Sequence, residues 1–400
     1  MSVFDALALA PADPIMGVTD QYNADPAPDK VNLGVGVYLD ETGQVRLMEA
    51  VAAAERQLAA AGAPHGYLPI PGLPALAKAA QRLVFGQDSP LLAAGRVTTV
   101  QTLAGTGALR VGAAVLALID PSATVLLPDP SWENHQLVFS RAGFAIGSYG
   151  YYDPVRRGVD AAAMLADLAG AAAGSVVVLH ACCHNPTGCD LTAAEWDQVV
   201  AITAERGLVP FLDFAYQGLA DGITEDTVAI DKFAASGQAF LVANSFSKNF
   251  GLYGERAGAL SLVCASADEA ERALSQTKQI IRSLYSNPPT HGAAIVTTIL
   301  NSPELTELWR DELGGMRLRL RDMRARLRAG LEASGVPGDF SYVTTQVGMF
   351  SYSGLSLDQM RRLRQDHHVY GLDSGRLCIA ALNPSNLDHV VGAIAAVIGG

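Results

Sequence analysis

The chain has 400 residues, of which 50% are hydrophobic and 17% are charged, so it can bury a large core. This composition favours one large enzyme in two parts over a string of small modules. The formal net charge of -12 at pH 7 argues against nucleic acid or an anionic membrane as the main partner, because both need a basic face. Small charged metabolites remain open as ligands.

The five cysteines are an odd number in a long chain, which indicates reduced thiols and a cytoplasmic protein. Three of them lie in the run CCHNPTGC (182–189), where adjacent cysteines followed by a proline turn do not match the usual zinc-ligand spacings. We therefore expect no metal. The N-terminus lacks the basic flank of an export signal, and no apolar run approaches the ~20 residues that span a bilayer. We expect a soluble protein without membrane contacts.

The N-terminal third begins with an irregular arm, residues 1–14, that has to dock on another surface to be ordered. A short strand with Gly34 and Gly36 follows, where a backbone can come close to a ligand. An alanine-rich helix is predicted from Ala50 to Ala61. The Pro/Gly-rich loop after it exposes Tyr67.

A strand around Val97 breaks into the glycine-rich segment LAGTGALR, which contains Gly105 and Thr106 and opens a helix. Free N–H groups and the dipole at such a helix start bind phosphate without needing a cation. The spacing matches neither the P-loop nor GxGxxG. On local grounds, a plain strand-to-helix turn is an equally good interpretation.

Further along, apolar runs alternate with helical patterns, which predicts a mostly parallel sheet covered by helices on both faces. In such a fold, ligands collect at the carboxyl ends of the strands. Polar residues follow the predicted strands at these ends: Trp132, Asn134, His135, His184, Asn185, Asp213, Tyr216, Ser245 and Lys248.

Lys248 ends the run LVANSFSK, and Arg256 follows eight residues later. A solvated lysine at a strand end is the usual fate of a lone lysine. A lysine whose pKa shifts on burial can instead attack a carbonyl, while Arg256 and Ser245 suit a phosphate dianion. The stretch alone leaves these two interpretations about even.

Pyridoxal phosphate needs a lysine that bonds to it, an anion against its pyridinium nitrogen, and a nest for its phosphate. Lys248, Asp213 and the two phosphate-binding segments supply all three. A lone aspartate is often only a turn or capping residue. That interpretation of Asp213 weakens because the same fold must also explain Lys248 and Asn185.

Beyond Lys248, Arg282 lies near the end of a helix that the SNPP segment stops, and Ser302 and Pro303 start another helix. That second helix carries one apolar stripe: Met316, Leu320, Met323, Leu327 and Leu331. We expect it to lead into a smaller domain with strands in the segments 347–354 and 375–384. The last residues form an apolar helix.

At this point the chain resembles the class I, fold-type I aminotransferases of the aspartate and aromatic amino acid group, over nearly its full length. The motifs that carry the resemblance are HNPTG (184–188), DFAYQG (213–218), SFSKNFGLYGER (245–256), YSNPP (285–289) and SGR (374–376). Three places depart from the family pattern and concern substrate fit rather than the reaction: Ala104, Ala381 and Leu372–Asp373.

The resemblance implies an α/β fold in which both chain ends build the smaller domain. The expected parts are an N-terminal arm (1–14), a small α/β domain (15–46 and 315–400) and a large domain that binds pyridoxal phosphate (47–314). The large domain would contain the mostly parallel sheet and its covering helices.

The resemblance also implies roles in binding the cofactor. Lys248 would bond to the cofactor and then shuttle a proton as general base and acid. Asp213 would pair with the pyridinium nitrogen, with His135 and His180 supporting it from behind. The ring would be contacted by Tyr216, Asn185 and Trp132. The phosphate would be held by Gly105, Thr106, Ser245, Arg256 and a second subunit's Tyr67.

On the substrate side, Arg376 with Asn185 would grip the α-carboxylate by a two-pronged pair, and Gly36 would line the site. Arg282 would act across the subunit interface on the distal carboxylate of aspartate, glutamate or 2-oxoglutarate. An aromatic ring there would leave a buried cation unpaired, at ~3 to 5 kcal/mol, so dual specificity requires Arg282 to swing towards solvent. The resemblance thus implies an obligate homodimer with shared active sites.

Several stretches are closest to bacterial aromatic (tyrosine) aminotransferases. We therefore expect transamination between tyrosine or phenylalanine, and/or aspartate, and 2-oxoglutarate, which gives the 2-oxo acid and glutamate. The alternative is an aspartate aminotransferase with little aromatic activity.

Three other classes remain as rivals. A pyridoxal-phosphate lyase or decarboxylase would not require two carboxylate-binding arginines. A non-catalytic regulator would need a DNA-binding module, for which the residues before the first strand leave no room. A dehydrogenase is weaker still, because no GxGxxG with a downstream acid follows a first strand.

Overall fold

A seven-stranded sheet dominates the part of the chain that the computed structural model describes, residues 2–10 and 13–399. In chain order, the strands are β1 Val31–Asn32, β2 Val97–Leu103, β3 Thr124–Asp129, β4 Ala145–Gly150, β5 Tyr152–Asp153, β6 Gly158–Val159, β7 Val176–His180, β8 Val209–Phe214, β9 Phe240–Ser245, β10 Ala257–Val263, β11 Phe350–Tyr352, β12 Val369–Tyr370 and β13 Arg376–Cys378. The large sheet has the order β2-β10-β9-β8-β7-β3-β4. Only β10 is antiparallel to its neighbours in this sheet, and the other described pairs run parallel.

Helices connect the strands and begin and end at the signals that the sequence provides. They are α1 Pro14–Ala24, α2 Glu49–Ala61, α3 Pro74–Phe85, α4 Pro90–Ala93, α5 Ala104–Ile119, α6 Glu133–Ser140, α7 Ala161–Gly170, α8 Ala193–Arg206, α9 Val228–Ser236, α10 Ala267–Leu284, α11 His291–Asn301, α12 Pro303–Ala333, α13 Tyr342–Thr345, α14 Leu357–His367 and α15 Leu387–Gly399. Short 3-10 turns lie at Glu225–Thr227 and Ile379–Ala381. Within the described residues, no helix combines the length and the apolar character needed to cross a bilayer.

Local capping explains several of these boundaries. Thr192 and Glu195 form the reciprocal hydrogen bonds of a capping box at the start of α8, and Ser356 does the same for α14. Gly62 ends α2 in the left-handed conformation, with φ of 59°.

Two hydrophobic cores lie on opposite faces of the large sheet. Alternate residues of a strand point to opposite faces. Leu212 and Val242 belong to one core, whereas their chain neighbours Phe211 and Leu241 belong to the other. The central strands β8 and β9 are therefore buried on both sides, as their continuous apolar runs predict.

The smaller part of the molecule combines both ends of the chain. Val31 of β1 pairs with Val369 of β12, and β11 pairs with β13. The predicted apolar stripe of α12, Met316 to Leu331, is buried along its length. This helix runs without a break from Pro303 to Ala333, across the predicted domain boundary at 314/315.

The predicted N-terminal arm is only partly described, because Met1, Pro11 and Ala12 lie outside the described residues, as does Gly400. Residues 2–10 contain no helix or strand and are exposed. Among them are four large apolar side chains: Val3, Phe4, Leu7 and Leu9.

Candidate active site

A cleft of about 220 Å³ opens at the carboxyl ends of β7, β8 and β9, where the sequence places its polar residues. Twelve of the predicted residues line it: Gly36, Gly105, Thr106, Trp132, His180, Asn185, Asp213, Tyr216, Ser245, Lys248, Arg256 and Arg376. Strand ends that are far apart in sequence therefore converge on one cleft in the structure, as the fold class predicts.

Lys248 follows the end of β9 and projects into this cleft rather than into bulk solvent. Burial lowers the pKa of Lys248 to about 8, against an opposing effect of the Asp213 charge. Its Nζ lies 5.2 Å from the centre of the Tyr216 ring. A lysine in this environment has a larger neutral, nucleophilic fraction at pH 7 than a solvated lysine.

Asp213, in β8, is held from behind by a chain of hydrogen bonds. Its Oδ2 lies 2.9 Å from Nε2 of His135, and Nδ1 of the same ring lies 2.9 Å from Oγ of Ser131. Burial alone would raise the pKa of Asp213, but the His135 hydrogen bond and the nearby Lys248 charge help to hold that pKa below its ordinary value. The carboxylate is therefore ionised at neutral pH.

The other oxygen of this carboxylate, Oδ1, is buried and has no hydrogen-bond partner within the described residues. Leaving such an acceptor unpaired is costly. The N–H of a protonated pyridine ring is the donor that would satisfy it. The unpaired Oδ1 of Asp213 is therefore a feature of this structure that fits the predicted cofactor.

His135 does not line the cleft itself but lies in the first turn of α6, behind Asp213. The His180 ring packs 5.0 Å from the His135 ring. Burial lowers the pKa of His180 to about 3, so this side chain stays neutral. The support behind Asp213 thus comes from a hydrogen-bonded imidazole and an uncharged one.

The start of α5 forms one wall of the cleft, opposite Ser245 and Arg256. The predicted glycine turn is not separate from the helix: α5 begins at Ala104, directly after β2, so Gly105 and Thr106 lie in its first turn. Ala104 adopts φ of 54°, which is unusual for a residue with a Cβ. A Cβ at Gly105 would lie 3.2 Å from Cβ of Ser245. The free N–H groups of this turn and Arg256 suit a phosphate.

On the opposite side, Asn185 links the ring site to the predicted carboxylate site. Its Nδ2 donates to the hydroxyl of Tyr216 at 3.3 Å, and its Oδ1 accepts from Nη1 of Arg376 at 3.0 Å. Arg376 also donates to the carbonyl of Gly34 at 2.6 Å and lies 4.3 Å over the Phe350 ring.

Arg376 is 1% exposed, yet no carboxylate lies within ion-pair distance of it in the described part of the chain. Burial lowers the pKa of this guanidinium below its ordinary value, which nevertheless leaves it charged at neutral pH. A buried cation without a counter-ion is unfavourable. The cleft therefore presents a site for an anion such as a carboxylate.

Trp132 and Tyr216 complete the walls around the ring site. Trp132 sits at the N-cap of α6, edge-on to His135 with ring centres 5.3 Å apart. Burial raises the pKa of Tyr216, so its hydroxyl keeps its proton at neutral pH. Trp132 is therefore placed to contact a flat ligand, and Tyr216 can donate a hydrogen bond.

Two predicted site residues, Tyr67 and Arg282, do not line the cleft of their own chain. Tyr67 is 95% exposed. Arg282 lies in the last turn of α10, is exposed, and donates to the hydroxyl of Ser286. These positions agree with the expectation that both residues serve a second subunit, which stays a prediction.

Sequence reasoning missed other residues that line the cleft, among them Ile15 and Phe350. A Cβ at Gly36 would lie 2.8 Å from Cζ of Phe350, so the glycine leaves room for this ring. Both missed residues sit in apolar patterns that resemble ordinary core positions. Only the three-dimensional structure shows that these two residues line the cleft.

The chain matches a family model described as aminotransferase class I and II over residues 28–394. Aspartate aminotransferase from Pseudomonas aeruginosa is 54% identical over 100% of both chains. The Escherichia coli enzyme of the same name is 44% identical over 99% of this chain and 100% of its own.

Solved structures show the same fold. The aromatic-amino-acid aminotransferase of Burkholderia pseudomallei, covalently bound to pyridoxal phosphate, has a TM-score of 0.97 and 54% identity, with 100% of both chains covered. The aromatic amino acid aminotransferase of Psychrobacter sp. B6, cocrystallised with aspartic acid, has a TM-score of 0.97 and 41% identity at the same coverage. The predicted fold, cofactor and reaction are therefore confirmed: this chain belongs to the aminotransferase class I and II family and is a pyridoxal-phosphate-dependent enzyme.

Proposed function

We propose that this aminotransferase acts on tyrosine, phenylalanine and aspartate, with 2-oxoglutarate as amino acceptor and glutamate as product. The observation that carries the amino acid part of the assignment is the buried Arg376, whose guanidinium has no carboxylate partner in the described residues and shares the cleft with Lys248. The α-carboxylate that it would bind is common to aromatic and acidic amino acids. Relatives named for aspartate and for aromatic amino acids are equally similar, each at 54% identity. A Psychrobacter enzyme named for aromatic substrates was cocrystallised with aspartic acid, which supports dual use.

Pyridoxal phosphate, when bound, withdraws electrons from the α carbon of the amino acid and so makes its C–H bond breakable. Asp213 would accept a hydrogen bond from the ring nitrogen through its unpaired Oδ1 and so keep that nitrogen protonated. His135 keeps that carboxylate oriented and ionised through the bond to Oδ2. Tyr216 and Asn185 would donate hydrogen bonds to the cofactor, and Trp132 would contact its ring.

Lys248 has two roles in the proposal. Its neutral amine would hold the cofactor covalently at rest, and when a substrate is bound, Nζ would take up and return the α proton. The lowered pKa of Lys248, about 8, supports both roles because an amine near that value can accept and release a proton at neutral pH.

The cofactor phosphate is proposed to lie between the first turn of α5 and the segment that follows β9. Gly105 and Thr106 contribute backbone N–H groups, which lack partners at a helix start. Ser245 contributes a hydroxyl and Arg256 a charge. On the substrate side, Arg376 and Asn185 bind the α-carboxylate, and Gly36 and Phe350 shape the site.

The assembly is proposed to be a cytoplasmic homodimer, in which a second subunit's Tyr67 and Arg282 complete each cleft. The exposure of both residues and of the apolar side chains in residues 2–10 supports a covering partner. All five cysteines are free and buried, which supports a reducing compartment. We further propose the division into a small domain (15–46 and 315–400) and a large domain (47–314).

The substrate assignment is tested through Arg282, the group proposed for the distal carboxylate. Arg282→Ala should lower kcat/KM for aspartate by about 150- to 5,000-fold, since losing a buried ion-pair partner costs ~3 to 5 kcal/mol, and should affect phenylalanine far less. The measurement is the half-reaction rate with aspartate, tyrosine and phenylalanine, followed by cofactor absorbance.

Arg272→Ala is the matched control, because this exposed arginine lies on the same helix, α10, and does not line the cleft. Equal losses for aspartate and phenylalanine would refute the role of Arg282. A wild-type enzyme that reacts with aspartate but hardly with tyrosine or phenylalanine would favour the alternative, an aspartate aminotransferase with little aromatic activity. A lyase or decarboxylase would give no glutamate from 2-oxoglutarate.

A further inference from the structure

The loop between β7 and α8 places Asn185 in the cleft. The carboxylate of Asp190, which lies outside the cleft, accepts two backbone hydrogen bonds from this loop. Oδ2 of Asp190 accepts the backbone N–H of Cys183 at 2.6 Å, and its Oδ1 accepts the N–H of His184 at 2.8 Å. Asp190 itself does not line the cleft. Both of its oxygens therefore hold the two residues that come directly before Asn185.

This segment needs external support because of its backbone conformation. Cys183 has φ of 52°, in the left-handed region that residues with a Cβ avoid. Such a conformation persists only where the surroundings impose it. The hydrogen bond from the N–H of Cys183 to Asp190 is one such constraint.

The far side of the loop is fixed as well. The carbonyl of Gly188 accepts the N–H of Val347 at 2.7 Å, and its N–H donates to the carbonyl of His184 at 2.7 Å. A Cβ at Gly188 would lie 2.7 Å from the carbonyl oxygen of Phe350. The loop is thus pressed against the segment that places Phe350 under the guanidinium of Arg376.

Between these two fixed points, Asn185 contacts both halves of the site. It accepts from Arg376 and donates to Tyr216, and both distances fall within hydrogen-bond range, at 3.0 and 3.3 Å. A small displacement of its backbone would lengthen both contacts at once.

We propose that Asp190 is a positioning residue for substrate binding: its carboxylate fixes the backbone before Asn185, and Asn185 in turn holds Arg376 ready for the α-carboxylate. Asp190 acts through Asn185 and does not touch the substrate. The inference rests on the proposed function, because it assumes that Arg376 binds the substrate carboxylate. Burial raises the pKa of Asp190 to about 6, so the clamp is ionised at neutral pH.

The test uses succinate, a dicarboxylate that cannot transfer an amino group, and measures its Kd for the cofactor-loaded enzyme by the change in cofactor absorbance. In Asp190→Asn, the amide keeps one acceptor oxygen but turns an NH₂ towards the second backbone N–H. We expect succinate to bind about 10-fold more weakly, the usual consequence of losing one charge-assisted hydrogen bond. The KM for amino acid substrates should rise more than kcat falls.

A double-mutant cycle with Asn185→Ala separates positioning from general stability. If Asp190 works through Asn185, the double variant binds succinate no more weakly than Asn185→Ala alone. Additive losses, or an unchanged Kd in Asp190→Asn, would overturn the proposal. If Asp190→Asn cannot be recovered folded, Asp190→Glu takes its place in the cycle under the same criterion.

Thr192→Ala is the matched control, because Thr192 caps α8 two residues further along and does not line the cleft. This variant should unfold more easily, by the loss of an N-cap, and keep the wild-type Kd for succinate. If Thr192→Ala weakened succinate binding as much as Asp190→Asn does, the loss of affinity would follow from lower folding stability alone. That result would overturn the proposal. If Asn185→Ala also leaves the Kd unchanged, the substrate-site assignment itself fails, which is a different result from failure of the Asp190 clamp alone.

Discussion

At the scale of single residues, the cleft is defined by charged groups that the chain buries without fully pairing them. Asp213 keeps one oxygen free of partners, and Arg376 has no carboxylate within ion-pair distance, in the part of the chain that the structure describes. Buried polar groups are normally satisfied. These two exceptions indicate bound ligands that bring a ring N–H to Asp213 and a carboxylate to Arg376.

The lowered pKa of Lys248 leads to a prediction about the enzyme freed of its cofactor. The amine attacks only when neutral, so the rate of covalent capture of pyridoxal phosphate should rise with pH, with its midpoint at about pH 8. Between pH 7 and pH 9 the neutral fraction, and therefore the rate, should grow by about 10-fold. Stopped-flow absorbance measures this profile.

Asp213→Asn provides the comparison for that profile. The Asp213 charge opposes the lowering of the Lys248 pKa, so its removal should move the midpoint to lower pH. A wild-type midpoint near the ordinary lysine value of 10.5 would contradict the buried environment derived for Lys248.

The residues that sequence reasoning could find are those at which an apolar run breaks into a polar one. Lys248, Asp213 and Asn185 carry this local signal, and the cleft contains all three. Ile15 and Phe350 carry no such signal, because they reach the cleft through contacts between segments far apart in sequence.

At the scale of elements, helix signals were more informative than strand signals. The capping boxes of Thr192 and Ser356 start α8 and α14, and the predicted stripe of α12 is buried. Two strands of the large sheet, β4 and β10, were not predicted. The strand β4 is partly exposed and has no clear apolar run, and no turn motif before β10 indicates that it runs antiparallel.

The α12 stripe gives a stability prediction with an internal control. Leu320 is 2% exposed, so Leu320→Ala should lower the free energy of unfolding by ~2 to 5 kcal/mol through lost burial and a residual cavity. Leu318, two residues earlier on the same helix, is 64% exposed. Leu318→Ala should therefore change the free energy of unfolding by less than about 0.5 kcal/mol. Urea unfolding of the cofactor-loaded protein measures both. Equal effects would mean that the stripe does not face the core.

At the scale of the whole molecule, the two ends of the chain meet in one small sheet, β1 with β12, and the cleft lies beside the segments they build. This closure was expected from the family resemblance and could not be derived from periodicity, because pairing between residues 31 and 369 leaves no local pattern. The subunit arrangement follows the same logic. Tyr67 and Arg282 do not line their own cleft, and we propose that each serves the cleft of a second subunit.

The central claim, that Lys248 carries the reaction in a cleft completed by the other subunit, is tested most directly by glutamate formation from aspartate and 2-oxoglutarate in mixed dimers. Lys248→Ala and Arg282→Ala chains are co-expressed with different affinity tags, and the dimer with both tags is purified. We predict no glutamate from Lys248→Ala dimers, little from Arg282→Ala dimers, and recovered activity in the mixed dimer, where one cleft is intact. Wild-type turnover by Lys248→Ala dimers, or a mixed dimer no more active than Arg282→Ala dimers, would contradict the account.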